Sequence, residues 1–416
     1  MKRIHQRIFA LTLALLLVIS MFACKREDAG AKQSESSGDT LSDSFSQSLS
    51  ESESATESET KRNKYPVSSS TVADTVVRPR QKTEGILEIP DEGDLSKTLD
   101  IYIIAGQSNA NGSTKISDKN AAYTFAPELE DGFSHVHYAG NSGTQSNAKN
   151  WQPVTLGFGK STEHMGPEAG MAKALSEYYN EDTGRHAGLI KLARGGTSLL
   201  NDKSGSNADG NWVSPSYAKQ LGIRFAYPTG GLYNFLLNEV EQRIMEALEY
   251  GDYGFTSVRI MGLYWMQGCQ DRDYLDKYRV ALPLFVSDLR ADLSAFMKHM
   301  TGTDNDLGAS DMPFVIGTIS ETYDLSSATA QETNRKFIAQ QKAFCDPNSE
   351  LYVGNCYTVD NSQYSVSRYN PDTGKAEKLS HATDKYHWGQ ADALKIGENA
   401  GKKLLEICQL PSGGGT

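Results

Sequence analysis

Leu99-Asp100-Ile101-Tyr102-Ile103-Ile104-Ala105-Gly106-Gln107-Ser108-Asn109 is the stretch from which the fold is read. A short, largely apolar run from Leu99 to Ala105 has the length and composition of a buried strand, and it ends at a glycine followed by polar side chains. Further strand candidates are Ala187–Ala193, Val258–Trp265, Phe314–Ile319 and Leu351–Val359. Between these runs the apolar period changes to that of a helix. Pro167 to Asn180 carries Pro167 in its first turn and Ala169, Ala172, Leu175 and Tyr179 at helical spacings. Leu232 to Leu248 places Leu236, Val240, Ile244 and Leu248 one turn apart, and Arg279–Met297, Gln331–Ala343 and Gln390–Ile407 read as further helices. Strands alternating with helices predict a mostly parallel sheet covered on both faces, with its sites at the carboxyl ends of the strands.

Those strand ends carry the chemistry. The first run leads into Gly106-Gln107-Ser108-Asn109, the second into Arg194-Gly195-Gly196-Thr197-Ser198, and the third into Met266-Gln267-Gly268-Cys269-Gln270-Asp271. Asp384-Lys385-Tyr386-His387 lies just before the last helix. A serine immediately past a buried strand is held rigidly and presented to solvent, as a nucleophile requires. A histidine can take its proton, and an aspartate three residues earlier can fix the histidine's tautomer and stabilise its cation. Glycines at turns leave backbone N–H groups open to a developing oxyanion. Each piece alone has a bland reading: a helix cap, a surface histidine, a tight turn. Their joint occurrence gives them weight.

The chain has 416 residues, 38% of them apolar, with 41 basic and 52 acidic side chains and a formal charge of −11. This excludes a collagen-like, fully disordered or multi-span membrane protein, and the acidic balance argues against a nucleic-acid partner. At the N-terminus Lys2, Arg3 and Arg7 precede the apolar stretch Ile8–Phe22, followed by Ala23 and Cys24. A charged start, a short apolar core and a small residue before the cut describe an export signal over residues 1–23. Cys24 in that position resembles the acylated cysteine of a bacterial lipobox. That implies lipidation at Cys24 and a lipid-anchored place in the bacterial cell envelope, at the outer membrane or cell surface. Residues 24–88, rich in Ser and Glu and poor in apolar side chains, read as a disordered tether, and 89–410 as one domain. Cys269, Cys345, Cys356 and Cys408 remain; Cys345 and Cys356 are near enough in sequence to close a small loop, but four cysteines leave three full pairings open.

Taken in order, Ile104-Ala-Gly-Gln-Ser-Asn109, Ala193-Arg-Gly-Gly-Thr-Ser-Leu199, Trp265-Met-Gln-Gly-Cys-Gln-Asp271 and Asp384-x-x-His387 resemble the successive blocks of the sialate O-acetylesterase and acetylxylan esterase group of SGNH hydrolases, a carbohydrate esterase family 6-like set. Gly166-Pro-Glu168 and Gly231-Leu-Tyr233 are similar to further segments, and the likeness covers roughly residues 97–408. The resemblance implies a flavodoxin-like α/β/α sandwich and hydrolysis of O-acetyl esters on sugars, without a metal or other cofactor. Carried onto this chain, it implies Ser108 as nucleophile, His387 as general base and acid, and Asp384 as its partner. The oxyanion would be met by the backbone of Ser108 and of Gly195-Gly196, with the Gln267 amide as a third donor. The family usually has glutamate where this chain has Cys269, which would shift orienting work to Asp384 or Asp271. Gln107, Asn109, Arg194, Thr197, His164, Trp151, Tyr264 and Asp271 are candidate substrate contacts. His135, His137 and His164 form the best metal-ligand set available, but nothing in the sequence brings them together. The rival readings are a non-catalytic glycan-binding lipoprotein on the same scaffold, an esterase of different acyl specificity, and a structural envelope protein. The stretches 200–229 and 361–380 read as long surface loops.

Overall fold

A computed structural model of the chain describes residues 81–141, 150–200, 211–222, 231–327 and 329–410. The export signal, Cys24 and the tether as far as residue 80 lie outside the described residues, as do 201–210 and 223–230.

The central strands are β1 (Thr98–Gly106), which runs into the short helix α1 (Ser108–Asn111) and the two-residue strand β2 (Thr114–Lys115). Helices α2 (Lys119–Phe125) and α3 (Glu128–Asp131) lead to β3 (Val136–Asn141), β4 (Gln152–Pro153) and β5 (His164–Met165). Next come α4 (Glu168–Ser176), β6 (His186–Ala193), α5 (Pro215–Gln220), α6 (Gly231–Ala247), β7 (Ser257–Met266) and α7 (Leu275–Thr301). The chain continues through β8 (Phe314–Gly317), α8 (Ala330–Ala343), β9 (Cys356–Val359), the hairpin β10 (Ser367–Asn370) and β11 (Lys375–Lys378), and α9 (Gln390–Ile407).

Seven strands form one sheet in the order β4-β3-β6-β1-β7-β8-β9, parallel throughout except for β4 against β3. All nine residues of β1 are buried because both faces of the sheet are covered. Leu99, Ile101, Ile103 and Ala105 point into one core with Leu236 and Val240 of α6, Phe285 and Leu289 of α7 and Phe337 of α8. Tyr102 and Ile104 point into the other with Ala172 and Leu175 of α4 and Leu394 and Leu404 of α9. The fold is thus the three-layer α/β architecture expected. The chain lies to one side of β1 in β3 and β6 and to the other in β7, β8 and β9. The order of winding therefore reverses at β1, and the carboxyl end of such a strand is where sheets of this kind place their sites. Ser108 stands there.

Two backbone approaches fix that end. Gly106 adopts φ +138, and a Cβ on it would fall 2.3 Å from the Met266 carbonyl oxygen, so glycine is required where β1 turns out of the sheet. A Cβ on Gly170 would fall 2.0 Å from the Leu394 oxygen, and one on Gly397 would fall 2.2 Å from the Pro167 oxygen. Helices α4 and α9 therefore touch through their backbones, bracing the segment before α4 against the His387 segment before α9.

Several expectations need correction. Residues 81–88, read as part of the tether, are packed on the domain: Leu87 is buried, and Gly85 and Leu87 donate backbone hydrogen bonds to His299 and Met300. Residues 211–222, read as a surface loop, send Trp212, Val213, Tyr217 and Ala218 into the core. The 361–380 stretch contains the β10–β11 hairpin. The fifth expected strand begins at Cys356, not Leu351, because Asn355 turns left-handed at φ +53 and its carbonyl is held by Arg290. Strand β3 was missed because His137, Gly140 and Asn141 make it look polar. Among the described residues no helix is long and apolar enough to cross a membrane.

His137 of β3, His186 of β6 and His135 just before β3 sit at the amino-terminal edge of the sheet, away from Ser108. His137 hydrogen-bonds His186 at 3.0 Å and the Tyr250 hydroxyl at 3.2 Å, His135 stacks on His186, and Tyr253 and Phe255 close the cluster. His164 is not among them. Burial, reinforced by the neighbouring imidazoles, pushes His137 down to about 3 and His186 to about 4 from an ordinary 6.5. Both are neutral when folded, and the unfolded chain protonates them first. Their contribution to stability is present above pH 6.5 and is lost as the pH falls toward about 4 for His186 and about 3 for His137. For His137 alone this amounts to about 2 kcal/mol between pH 7 and pH 5. Thermal unfolding is expected to show that loss, and His137→Phe, which keeps the aromatic packing, is expected to flatten it. An unchanged pH slope in the variant would refute the assignment.

Candidate active site

The three central strand ends are tied together by their backbones. Gln107 N donates to the Met266 carbonyl at 2.9 Å, and Arg194 N donates to the Gly106 carbonyl at 3.1 Å. The Gly195 turn is thereby laid beside Ser108: a Cβ on Gly195 would stand 3.5 Å from the Ser108 Cβ. Ser108 is half-buried, and Gly195 and Gly196 are exposed. Ser108 opens α1, so its own N–H has no acceptor within that helix.

The loop that carries His387 is docked on β2, which follows α1 directly. The Thr114 hydroxyl donates to the Trp388 carbonyl at 3.2 Å, and Lys115 N donates to the Thr383 hydroxyl at 3.1 Å. Across the turn Thr383 N donates to the His387 carbonyl at 3.1 Å. Asp384 holds the imidazole: its Oδ2 lies 2.7 Å from His387 Nδ1, and its Oδ1 accepts the backbone N–H of Tyr386 at 2.7 Å and of His387 at 2.9 Å. Partial burial would raise this carboxyl, but the bond and charge of His387 and the two N–H groups hold it below the ordinary carboxylate range. The carboxylate is therefore ionised at neutral pH.

A second set of contacts positions these groups. Asp271 is fully buried and accepts the Ser198 hydroxyl, Leu199 N at 2.8 Å and the Gln267 amide at 2.6 Å, locking the Gly195-Gly196 turn to the end of β7. Glu168 accepts Gly166 N at 2.8 Å and the ammonium of Lys191 at 2.8 Å, and Lys191 also donates to the Phe158 carbonyl at 2.7 Å. Both side chains of that ion pair are buried, so removing either partner would cost about 3–5 kcal/mol. Asp324 pairs with Lys385 at 2.8 Å and with Arg272 at 3.8 Å, joining the Cys269 turn to the His387 loop. The sequence reading missed Lys191, Asp324 and Arg272 as supports. Lys191 did carry a signal, as a lysine inside an apolar strand needs a buried acid.

Several expected site residues turn out to be internal. The Gln267 amide donates to the Thr197 carbonyl at 3.3 Å and to Asp271, which uses both its hydrogens, so it is a brace and not an oxyanion donor. The Gln107 carbonyl accepts Gly268 N at 3.1 Å and Gln270 N at 3.4 Å within the protein. Thr197 is buried between the Arg194 carbonyl and the Trp212 indole. Trp151 packs on Gly188 and donates to the Arg243 carbonyl at 2.7 Å, and Tyr264 is buried against Asn361. Each of these side chains, and Asp271, thus has an internal partner. Arg194 and His164 remain half-exposed near the rim, and His164 lies close enough to His387 to feel its charge. Asn109 is buried beside Ser108, with its Oδ1 unpaired among the described residues. Cys269 is buried and its thiol is pushed up to about 12, which makes it inert at neutral pH. No group of three or more His, Cys, Asp or Glu side chains among the described residues is arranged to hold a metal.

Ser108 follows β1 directly, and the loop that carries the Asp384–His387 pair is docked on β2. The family model described as carbohydrate esterase, sialic acid-specific acetylesterase matches residues 98–406, and the chain belongs to that family. It is thus an esterase of the group that removes O-acetyl groups from carbohydrates. No curated protein sequence matches it. Solved structures similar to it include a protein of Arabidopsis thaliana, 16% identical with a TM-score of 0.41, covering 74% of this chain and 98% of that one. Another is a carbohydrate acetylesterase from Xanthomonas citri, 15% identical with a TM-score of 0.35, covering 74% of this chain and 57% of that one.

Proposed function

We propose that the chain hydrolyses sugar O-acetyl esters through a Ser108–His387–Asp384 triad and an acetyl-enzyme. The observation that carries this reading is the Asp384–His387 pair, closed at 2.7 Å and docked on the strand that follows Ser108. With Nδ1 committed to Asp384, Nε2 is the nitrogen left to take the Ser108 proton. Ser108 Oγ then attacks the acetyl carbonyl. The oxyanion forms against the N–H groups of Ser108 and the Gly195 turn, and the sugar hydroxyl leaves with the proton from His387. Water, deprotonated by His387, cleaves the acetyl-enzyme, and the proton returns to Ser108 as acetate departs.

Acetate release from an O-acetylated sugar by the full chain, set against Ser108→Ala, tests this. Equal rates would remove the triad and favour a binding protein on the same scaffold. Anchoring to a bacterial envelope through Cys24 is a separate part of the proposal. It rests on the N-terminal sequence, and lipid labelling that survives Cys24→Ser would refute it.

A further inference from the structure

Cys345 follows the carboxyl end of α8, and Cys356 opens β9, the outermost strand of the sheet on that side. Their sulfurs stand 3.1 Å apart. The intervening loop is held independently of them. Val353 N donates to the Phe344 carbonyl at 2.9 Å, and Arg290 donates to the carbonyls of Met312 at 3.0 Å, Gly354 at 2.7 Å and Asn355 at 2.8 Å. The thiols therefore face each other because the backbone puts them there, and little ordering is left for a covalent link to impose.

We propose that Cys345 and Cys356 are a modification site: they close to an intramolecular disulfide when a small-molecule disulfide oxidant is available, stapling the edge strand β9 to α8. The reaction balances as two thiol–disulfide exchanges. The Cys345 thiolate attacks one sulfur of the oxidant and expels the other half as a thiolate, forming a mixed disulfide. The Cys356 thiolate then attacks Cys345 Sγ and expels the second half. Two protein thiols are oxidised, one oxidant disulfide is reduced to two thiols, and the two protons pass from protein to oxidant.

The order follows from exposure. Cys345 is half-exposed and Cys356 is buried, so the first attack falls to Cys345. The hydrogen bond from Cys356 holds the Cys345 thiol below its ordinary value, which favours its thiolate. The other described cysteines serve as internal controls. Burial pushes Cys269 up to about 12 and Cys408 to about 11, and the Cys408 thiol donates to the Met261 carbonyl at 3.2 Å. The bridge sits at the amino-terminal edge of the sheet, opposite Ser108, so it acts on the stability of an edge strand and not on the site. The inference does not depend on the esterase reading.

The test treats the full chain, under native conditions, with oxidised glutathione, then alkylates the free thiols and maps peptides by mass. Support is a peptide pair joined through Cys345 and Cys356 with the loss of two hydrogens, with Cys269 and Cys408 alkylated only after unfolding. The melting temperature is then expected to fall by about 5 °C on adding a reductant, and not to respond in Cys345→Ser. Alkylation of both Cys345 and Cys356 after oxidation would overturn the proposal. So would glutathione retained on Cys345 with Cys356 free, or a bridge to a different cysteine.

Discussion

Ser108→Ala is expected to lower turnover of an acetyl ester by about 10⁵-fold or more, with an unchanged melting temperature. In free-energy terms that is about 7 kcal/mol of barrier. The loss is so large because the variant removes the atom that would form the covalent intermediate, and the remaining groups only polarise the carbonyl and orient water. The fold should not notice. Ser108 is half-buried, and α1 keeps its place through its backbone, with Asn111 N on the Gln107 carbonyl at 2.8 Å and Ser113 N on the Ser108 carbonyl at 3.1 Å. A steady-state assay paired with thermal unfolding checks both halves. A variant that retains a tenth of the activity would place the nucleophile elsewhere.

Asp384→Asn comes second, with an expected loss of about 10³–10⁴-fold in kcat. The amide oxygen can still accept the backbone N–H groups of Tyr386 and His387, so the turn survives. What is lost is the acceptor that fixes His387 Nδ1–H. Facing an amide N–H, the imidazole turns its protonated nitrogen toward Ser108 and cannot take the serine's proton. The cation that forms in the transition state also loses its counter-charge. Asp384 is partly open to solvent, which screens that charge and places the loss below the one at Ser108. Activity within threefold of wild type in Asp384→Asn would show that another group orients His387.

The sheet was legible because most of its strands are short, largely apolar runs, and because five of its helices carry an apolar stripe. Strand β3 was not, since His137 reads as polar until His186 and Tyr250 are there to satisfy it. At the site, the candidate triad could be named from sequence because a serine past the first strand and an Asp-x-x-His before the last helix are distinct residue types in distinctive places. Their supports were misread for one physical reason: an amide or hydroxyl at a turn serves a substrate and a neighbouring backbone equally well. Gln267, Gln107 and Thr197 all serve the backbone. Trp151 and Tyr264, read as sugar platforms, are packing residues whose polar ends find internal partners. Cys269 lies in the core, and Asp271 two residues on gathers the hydrogen bonds that tie the Gly195 turn to β7.

The claim on which the rest depends is that Ser108 is chemically activated by His387. A fluorophosphonate probe reads this directly, since it bonds rapidly to a serine whose hydroxyl is activated by a neighbouring base. The full chain is expected to gain one adduct, mapped by peptide mass to the segment containing Ser108, with labelling abolished in Ser108→Ala and slowed at least a hundredfold in Asp384→Asn. An unlabelled wild-type chain, or an adduct on any other residue, would contradict the account.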